Sequence, residues 1–388
     1  MAPALAPRLK GAYSAWMSML LLHLGSAASD DAEQTLLLAR ALRDTGHEAL
    51  LACPRHSPLS TAARQAELPL VELKNAGLPL VWTLYRLIRQ RDVRLLHTLD
   101  PGALAWAALL RRHYRELRLV HTLFTAPENG KKLRGRSIQQ LDAVVCAGTE
   151  LAGLAHANGV PDAKIRVILP AARPAAPGRA CSAFLDAHPR ERFIFVAAGA
   201  LTPAADHAGL IQAMAYLQTM GIEDLPQWEV RIVGEGPLFD SLLESAGKLG
   251  VLDRLSLIGG QDRRVFLEAA DAALCCDSEG RGSVSVILDA WSCGVPVACT
   301  ALAAHRDLGE DKTSVLLSSP ANPVALAGAM LRLMQEPSLR ERLVAGGHAA
   351  LEGFRPSRLG AEYAALYDEV LNAGAPVPSA GPSASAAR

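Results

Sequence analysis

The chain has 388 residues, half of them hydrophobic, and 39 Lys plus Arg against 39 Asp plus Glu, so its formal net charge is zero. That length can bury large cores and favours two or more domains of about 150 residues each. The balanced charge gives no global field for nucleic acid, so any charged partner has to be met by a local patch.

Residues 1–16, MAPALAPRLKGAYSAW, contain no apolar region long enough for a signal peptide. They read as a disordered leader or the product of an upstream start codon, because Met17 and Met19 directly precede the first strand. MSMLLLHLG is about half a membrane span and reads as a core strand. In DDAEQTLLLARALRDTG, acids at the start, apolar residues at helical spacing and the Gly46 stop predict a helix, with EALLAC as the second strand. The pattern recurs at VRLLHTLD, LRLVHTLF and DAVVCAG, which argues for βα repeats and parallel sheets. After DAKIRVILPAA, the stretch RPAAPGRA has the composition of a linker. A second series follows in RFIFVAAGA, WEVRIVGEG, LSLIGG, AALCCDS, VPVACT and SVLLSS, and the chain ends in a low-complexity Ala/Pro/Ser tail. The seven cysteines show no CxxC pair or Cys/His ligand spacing, so they read as reduced thiols of a cytoplasmic protein.

Two open α/β units joined by a hinge place a ligand cleft at the carboxyl ends of their strands. In RIVGEGP, Gly234 and Glu235 end a strand and Pro237 is expected to begin a helix whose free N–H groups can receive phosphate; a plain strand-to-helix turn explains the same residues. In SEGRGSVSVILDAWSCGVPV, Gly280 and Gly282 permit close backbone approach, Ser283 stands where it can cap an apolar helix from Val284 to Trp291, and Gly294 with Pro296 ends that helix. Glu279 then lies at the helix start, while Asp289 is nearly two turns on and is held inside or along the helix. A carboxylate without water in an apolar run costs several kcal/mol, roughly, unless a partner replaces the water. Something polar is therefore expected opposite Asp289.

These segments, in this order, resemble the GT-B glycosyltransferases of family 4, also called glycosyl transferases group 1, from Met19 to about Leu371. LGSAASDDAEQTLLLARALRDTGHEALL is similar to the family's first glycine loop and helix, and DAVVCAGTELAGLAHANGVPDAKIRVILPAA to its middle segment. GALTPAADHAGLIQAMAYL, WEVRIVGEGPLFDSLLESAGKLGVLDRLSLIGG and SEGRGSVSVILDAWSCGVPV resemble its G-R-L-x-x-x-K-G, G-x-G-P and E-x7-E segments.

The resemblance implies an α/β protein of two Rossmann-like doubly wound domains facing a central cleft. An acceptor domain spans 17–172, a nucleotide-sugar domain 173–354, a helix 355–372 packing back on the first domain, and a disordered tail 373–388. It also implies retaining transfer of a sugar from a nucleotide-diphosphate sugar to a glycan or lipid-linked acceptor in cell-envelope polysaccharide or lipopolysaccharide synthesis, without metal or cofactor. Asp289 becomes the ribose acceptor and Glu279 the sugar-side acid, and Gly234, Glu235, Gly280, Arg281, Gly282, Ser283 and Val284 complete the donor site. Gly25 belongs to the acceptor and phosphate loop. His97 is a catalytic candidate, with a satisfied core histidine as its alternative.

Four departures stand out. Glu279 and Asp289 are two residues further apart than in the family, so the usual interval from Asp289 reaches Arg281. Ala200 and Ala205 occupy the positions of the basic pair that neutralises the donor phosphates, and Phe124 the position of an active-site histidine, with His121 on the strand before it facing the other way. Asp30 and Asp31 follow the first loop, where acids repel phosphate and read as helix caps. The alanines and Phe124 together give a second reading, a catalytically impaired GT-B binding or scaffold protein. RLIRQRDVR, RRHYRELR and KKLRGR make the first domain locally basic, which suits peripheral contact with an anionic membrane on the inner face of the cell membrane as well as solvated helix faces.

Overall fold

A computed structural model describes residues 19–27, 29–74, 78–126, 136–174, 192–222, 225–278 and 284–373. Two parallel sheets form, one per domain. The first contains β1 (Met19–Leu22), β2 (Ala49–Pro54), β3 (Leu70–Leu73), β4 (Leu95–Thr98), β5 (Arg118–Leu123), β6 (Ala143–Cys146) and β7 (Ile165–Val167), in the order β3-β2-β1-β4-β5-β6-β7. The second contains β8 (Arg192–Ala198), β9 (Gln227–Val233), β10 (Leu255–Ile258), β11 (Ala272–Cys275), β12 (Val297–Thr300) and β13 (Leu316–Ser318), in the order β10-β9-β8-β11-β12-β13. Each is a Rossmann-like doubly wound sheet, and the strand order reverses between β1 and β4 and between β8 and β11. At such points the connections leave to opposite faces and open a crevice.

The central strands are continuous apolar runs because helices cover both faces. On one face of the first sheet, Leu21, Leu51, Val120 and Val145 pack under α1 (Asp30–Asp44) and the C-terminal helix Pro356–Asn372. On the other, Leu20, Leu96, Leu119 and Val144 pack under the helices Leu78–Gln90 and Pro101–Arg111. The C-terminal helix approaches α1 so closely that a Cβ on Gly360 would lie 2.8 Å from the Ala41 carbonyl oxygen. Arg358 donates to the carbonyls of Leu169 and Pro170, and Ala172 N donates to Phe354 O at 2.8 Å, so the two chain crossings between the domains are stitched side by side.

The helix expected from Pro237 starts later, at Phe239. Leu238 N donates instead to Leu201 O, which pins residues 236–238 as a turn against the loop after β8. Of the seven cysteines, the six in the described residues are buried. Among the described residues no helix is long and apolar enough to cross a membrane.

Candidate active site

The loops at the strand ends of the two domains meet. Phe124 after β5, Gly148 and Glu150 after β6, Asp30 and Gln34 of α1, and Val284 and Ser285 after β11 line one cavity of about 60 Å³. Ligand sites enclose roughly 300–1,000 Å³. This cavity by itself is smaller than such a site.

On the second-domain side, the loops after β8 and β9 interlock through their glycines. A Cβ on Gly234 would overlap the Gly199 carbonyl oxygen, and one on Gly236 would lie 2.5 Å from the Leu201 carbonyl oxygen. Gly199 itself has φ +149°, a conformation that favours glycine. These glycines thus first serve backbone packing, the plain-turn reading of GEG. Glu235 reaches across to the next turn and accepts from Gly260 N at 3.0 Å. Ala200 lies within this interlock, between Gly199 and Leu201, and Ala205 ends the short 3-10 turn Pro203–Ala205.

Asp289 has the surroundings that its burial demanded, and they are protein. It sits on the helix Val284–Ser292 and is 1% exposed. Its Oδ1 accepts from Arg173 Nε at 2.9 Å and Arg264 Nε at 3.0 Å, and its Oδ2 from Arg173 Nη2 and Arg263 Nε, both at 2.6 Å. Burial pushes this carboxyl up, but the guanidinium groups of Arg173, Arg263 and Arg264 outweigh it and leave the group below its ordinary range. Two of these arginines also touch the first turn of α1. Arg263 donates to Asp30 Oδ1 at 3.0 Å and Glu33 Oε2 at 3.1 Å, and Arg173 pairs with Glu33 Oε1 at 2.7 Å. Asp30 and Glu33 are nevertheless raised in pKa, because their burial exceeds the help from Arg263.

Asp30, expected as a helix cap, is therefore an ion-pair partner, and Ser29 is the N-cap, accepting from Ala32 N at 3.4 Å. Asp31 turns the other way, to 3.6 Å from His23 Nε2. Gly25 is packed on that same histidine, with a Cβ there meeting His23 Cε1 at 2.7 Å.

His97 lies in the first-domain core with no exposed surface. Its Nδ1 bonds Tyr367 Oη at 2.6 Å and its Nε2 bonds Thr122 Oγ1 at 2.8 Å, so both ring nitrogens are taken. Burial, and then His121, push its pKa well below the usual histidine value. The catalytic expectation for His97 thus meets a satisfied core histidine under the C-terminal helix. His121 faces the opposite side of the sheet, bonded through Nδ1 to Thr98 Oγ1 at 2.8 Å. Glu279, Gly280, Arg281, Gly282 and Ser283 lie outside the described residues. Val284 begins its helix and lines the cavity. Among the described residues no group of three or more His, Cys, Asp or Glu side chains is arranged to hold a metal ion.

Residues 32–174 match the family described as Glycosyltransferase Family 4, and residues 184–349 match Glycosyl transferases group 1. The chain belongs to the GT-B glycosyltransferases of family 4. Over 164 residues it is 30% identical to the lipopolysaccharide core biosynthesis glycosyltransferase LpsD of Rhizobium meliloti, covering 42% of this chain and 45% of that one. Over 204 residues it is 27% identical to the phosphatidyl-myo-inositol mannosyltransferase of Mycobacterium tuberculosis, covering 51% and 53%. The chain spans about half or less of the length of the curated relatives it matches. The fold is similar to that of Anabaena HepE in complex with UDP and glucose, with a TM-score of 0.78 over 91% of this chain and 99% of that one, at 17% identity.

Proposed function

We propose that the chain transfers a sugar from a nucleotide-diphosphate sugar to a glycan or lipid-linked acceptor, with retention of anomeric configuration, in cell-envelope polysaccharide or lipopolysaccharide synthesis. The observation that carries the reading is the succession of the two family matches across two Rossmann-like domains whose strand-end loops line one cleft. The UDP and glucose of the HepE complex support the donor class, and the lipopolysaccharide core role of LpsD supports the acceptor class. Asp289 takes the ribose hydroxyls, the segment from Glu279 to Val284 takes the sugar and diphosphate, and Gly234 and Glu235 border the nucleotide. Arg281 is the group that stands in for the basic pair replaced by Ala200 and Ala205.

The first domain suits peripheral seating on an anionic membrane. Arg111 and Arg118 are both used by Asp142, but Arg86, Arg89, Arg112 and Arg115 are exposed, as is Trp82, at 65% exposure. Each basic side chain near an anionic surface contributes about 1 kcal/mol.

The test is a panel of UDP-, GDP-, ADP- and CMP-linked sugars with lipopolysaccharide-core and lipid-linked acceptors, read by nucleotide release and by the anomeric configuration of the product. Nucleotide release with one donor and a retained anomer supports the reading; no binding and no release across the panel removes it. The impaired-scaffold alternative rests on Ala200, Ala205 and Phe124, which lines the cavity. Ordinary enzymatic turnover by the unmodified chain ends that alternative, whereas turnover that appears only on Ala200→Arg with Ala205→Lys favours it.

A further inference from the structure

The Asp289 carboxylate has no acceptor capacity left. A carboxylate offers about four lone-pair sites, and four N–H groups from Arg173, Arg263 and Arg264 already point at its two oxygens, at 2.6 to 3.0 Å. A ribose hydroxyl can be accepted there only once one of these N–H groups leaves, and Arg263 supplies one of the four. Arg173 also reaches Glu33 of the first domain, and Arg263 makes the fuller bridge. Its three nitrogens go to three carboxylates, Nε to Asp289 in the second domain, and Nη1 and Nη2 to Asp30 and Glu33 in the first. Its planar fork is suited to such divided pairing, which a lysine ammonium cannot reproduce.

We propose that Arg263 is a latch across the cleft, which fastens α1 of the first domain to Asp289 and is released when the ribose of a nucleoside diphosphate takes that carboxylate. This rests on the reading of Asp289 as the ribose acceptor. With Arg263 in place, α1 is held to the second domain and Asp289 is saturated, two aspects of one state. A ligand that binds only the released state has its apparent dissociation constant raised by the reciprocal of that state's population. The acids of α1 thereby set donor affinity without touching the donor. Asp30 left without Arg263, and Glu33 left with Arg173 alone, would face the incoming diphosphate as like charges, so the latch also offsets them until release.

The experiment pairs Asp30→Asn/Glu33→Gln, which cuts the first-domain leg and leaves the arginines around Asp289, with Arg263→Lys as a milder variant should the double one fail to fold. Solution scattering without nucleotide reads the opening of the domains, and calorimetry with UDP, GDP and ADP reads affinity. The latch predicts a larger radius of gyration for the variants and nucleoside diphosphate binding tightened about fivefold or more. Tighter binding at unchanged shape would show simple relief of charge repulsion and overturn the latch, as would unchanged shape with unchanged or weaker binding. Opening of the variants with no nucleotide bound by any of the proteins would instead remove the donor-site reading, and ribose-triggered release with it.

Discussion

Asp307 of the second domain caps a helix of the first, its carboxylate accepting from Thr149 N at 2.7 Å and from the Thr149 hydroxyl at 2.9 Å. The helix is Thr149–Ala157, whose own N-cap residue is Gly148, without a side chain to offer. The first N–H groups of a helix need an acceptor, and a carboxylate also meets the positive end of the helix dipole.

Asp307→Ala is therefore expected to cost about 1 kcal/mol, the ordinary value of a cap. The cost falls on a helix in the other domain. Hydrogen exchange should show the amides of Thr149 to Ala152 opening about fivefold faster, with the first turn of α1 unchanged. Equal effects on both helices would mean that the domains part as a whole and that the cap is not the local contact described.

Two glycines separate backbone packing from mere tolerance. Gly234→Ala drives a methyl group into the Gly199 carbonyl, where neither partner is a flexible side chain, and is expected to lose about 3 kcal/mol or more of second-domain stability. Gly247 lies within the helix Phe239–Lys248 and has no atom within 4 Å of an added Cβ. Gly247→Ala should therefore gain about 0.5–1 kcal/mol from helix propensity. Denaturant unfolding of both variants checks the contrast, and a neutral Gly234→Ala would mean that the two loops are not interlocked.

The strands were legible because a parallel strand covered on both faces is a short unbroken apolar run, as in MLLL or AALC, bounded by glycine or acid. β3 was harder, because the edge strand LVEL is only half-buried and carries Glu72. The partners of Asp289 were not legible. Burial required a polar group opposite it, but Arg173 is 116 residues away in sequence and Arg263 is 26, and periodicity carries no information over such distances. The adjacent arginines in QDRRVFLEAAD were the available signal, in a segment that otherwise reads as an ordinary helix start. His97 was similarly ambiguous from its strand alone, since Tyr367, which takes its Nδ1, is 270 residues further on.

His121 gives a pH dependence whose sign can be stated. Burial pushes its pKa down to about 4 from 6.5, so between these values the unfolded chain binds a proton that the folded chain refuses. Its stabilisation is complete above pH 6.5, falls as pH drops toward 4, and is lost below that by about 3 kcal/mol. His97, also depressed, adds a slope of the same sign. Comparing the chain with His121→Gln by urea unfolding at intervals from pH 7 to 4 isolates the His121 share. The stability difference between the two should shrink, or reverse in favour of the variant, as the medium becomes more acidic. A difference independent of pH would mean that His121 is not held neutral.

Asp289 is expected to matter to stability before any nucleotide is present. Asp289→Ala leaves Arg173, Arg263 and Arg264 pointing at a methyl group, and breaking a buried ion pair from one side typically costs about 3–5 kcal/mol because the remaining charges are uncompensated. Asp30 and Glu33 on α1 and Asp262 stay as partners for these arginines, which places the expected loss at the low end, about 3 kcal/mol. Sulfate or phosphate, which can accept from guanidinium forks in pairs, should restore part of that loss in the variant and stabilise the unmodified chain less, since its Asp289 already fills the position. Thermal unfolding with and without sulfate, against chloride at equal ionic strength, separates this from general salt effects. If the variant is as stable as the unmodified chain, or if sulfate helps both equally, the three arginines do not depend on Asp289 for their charge partner.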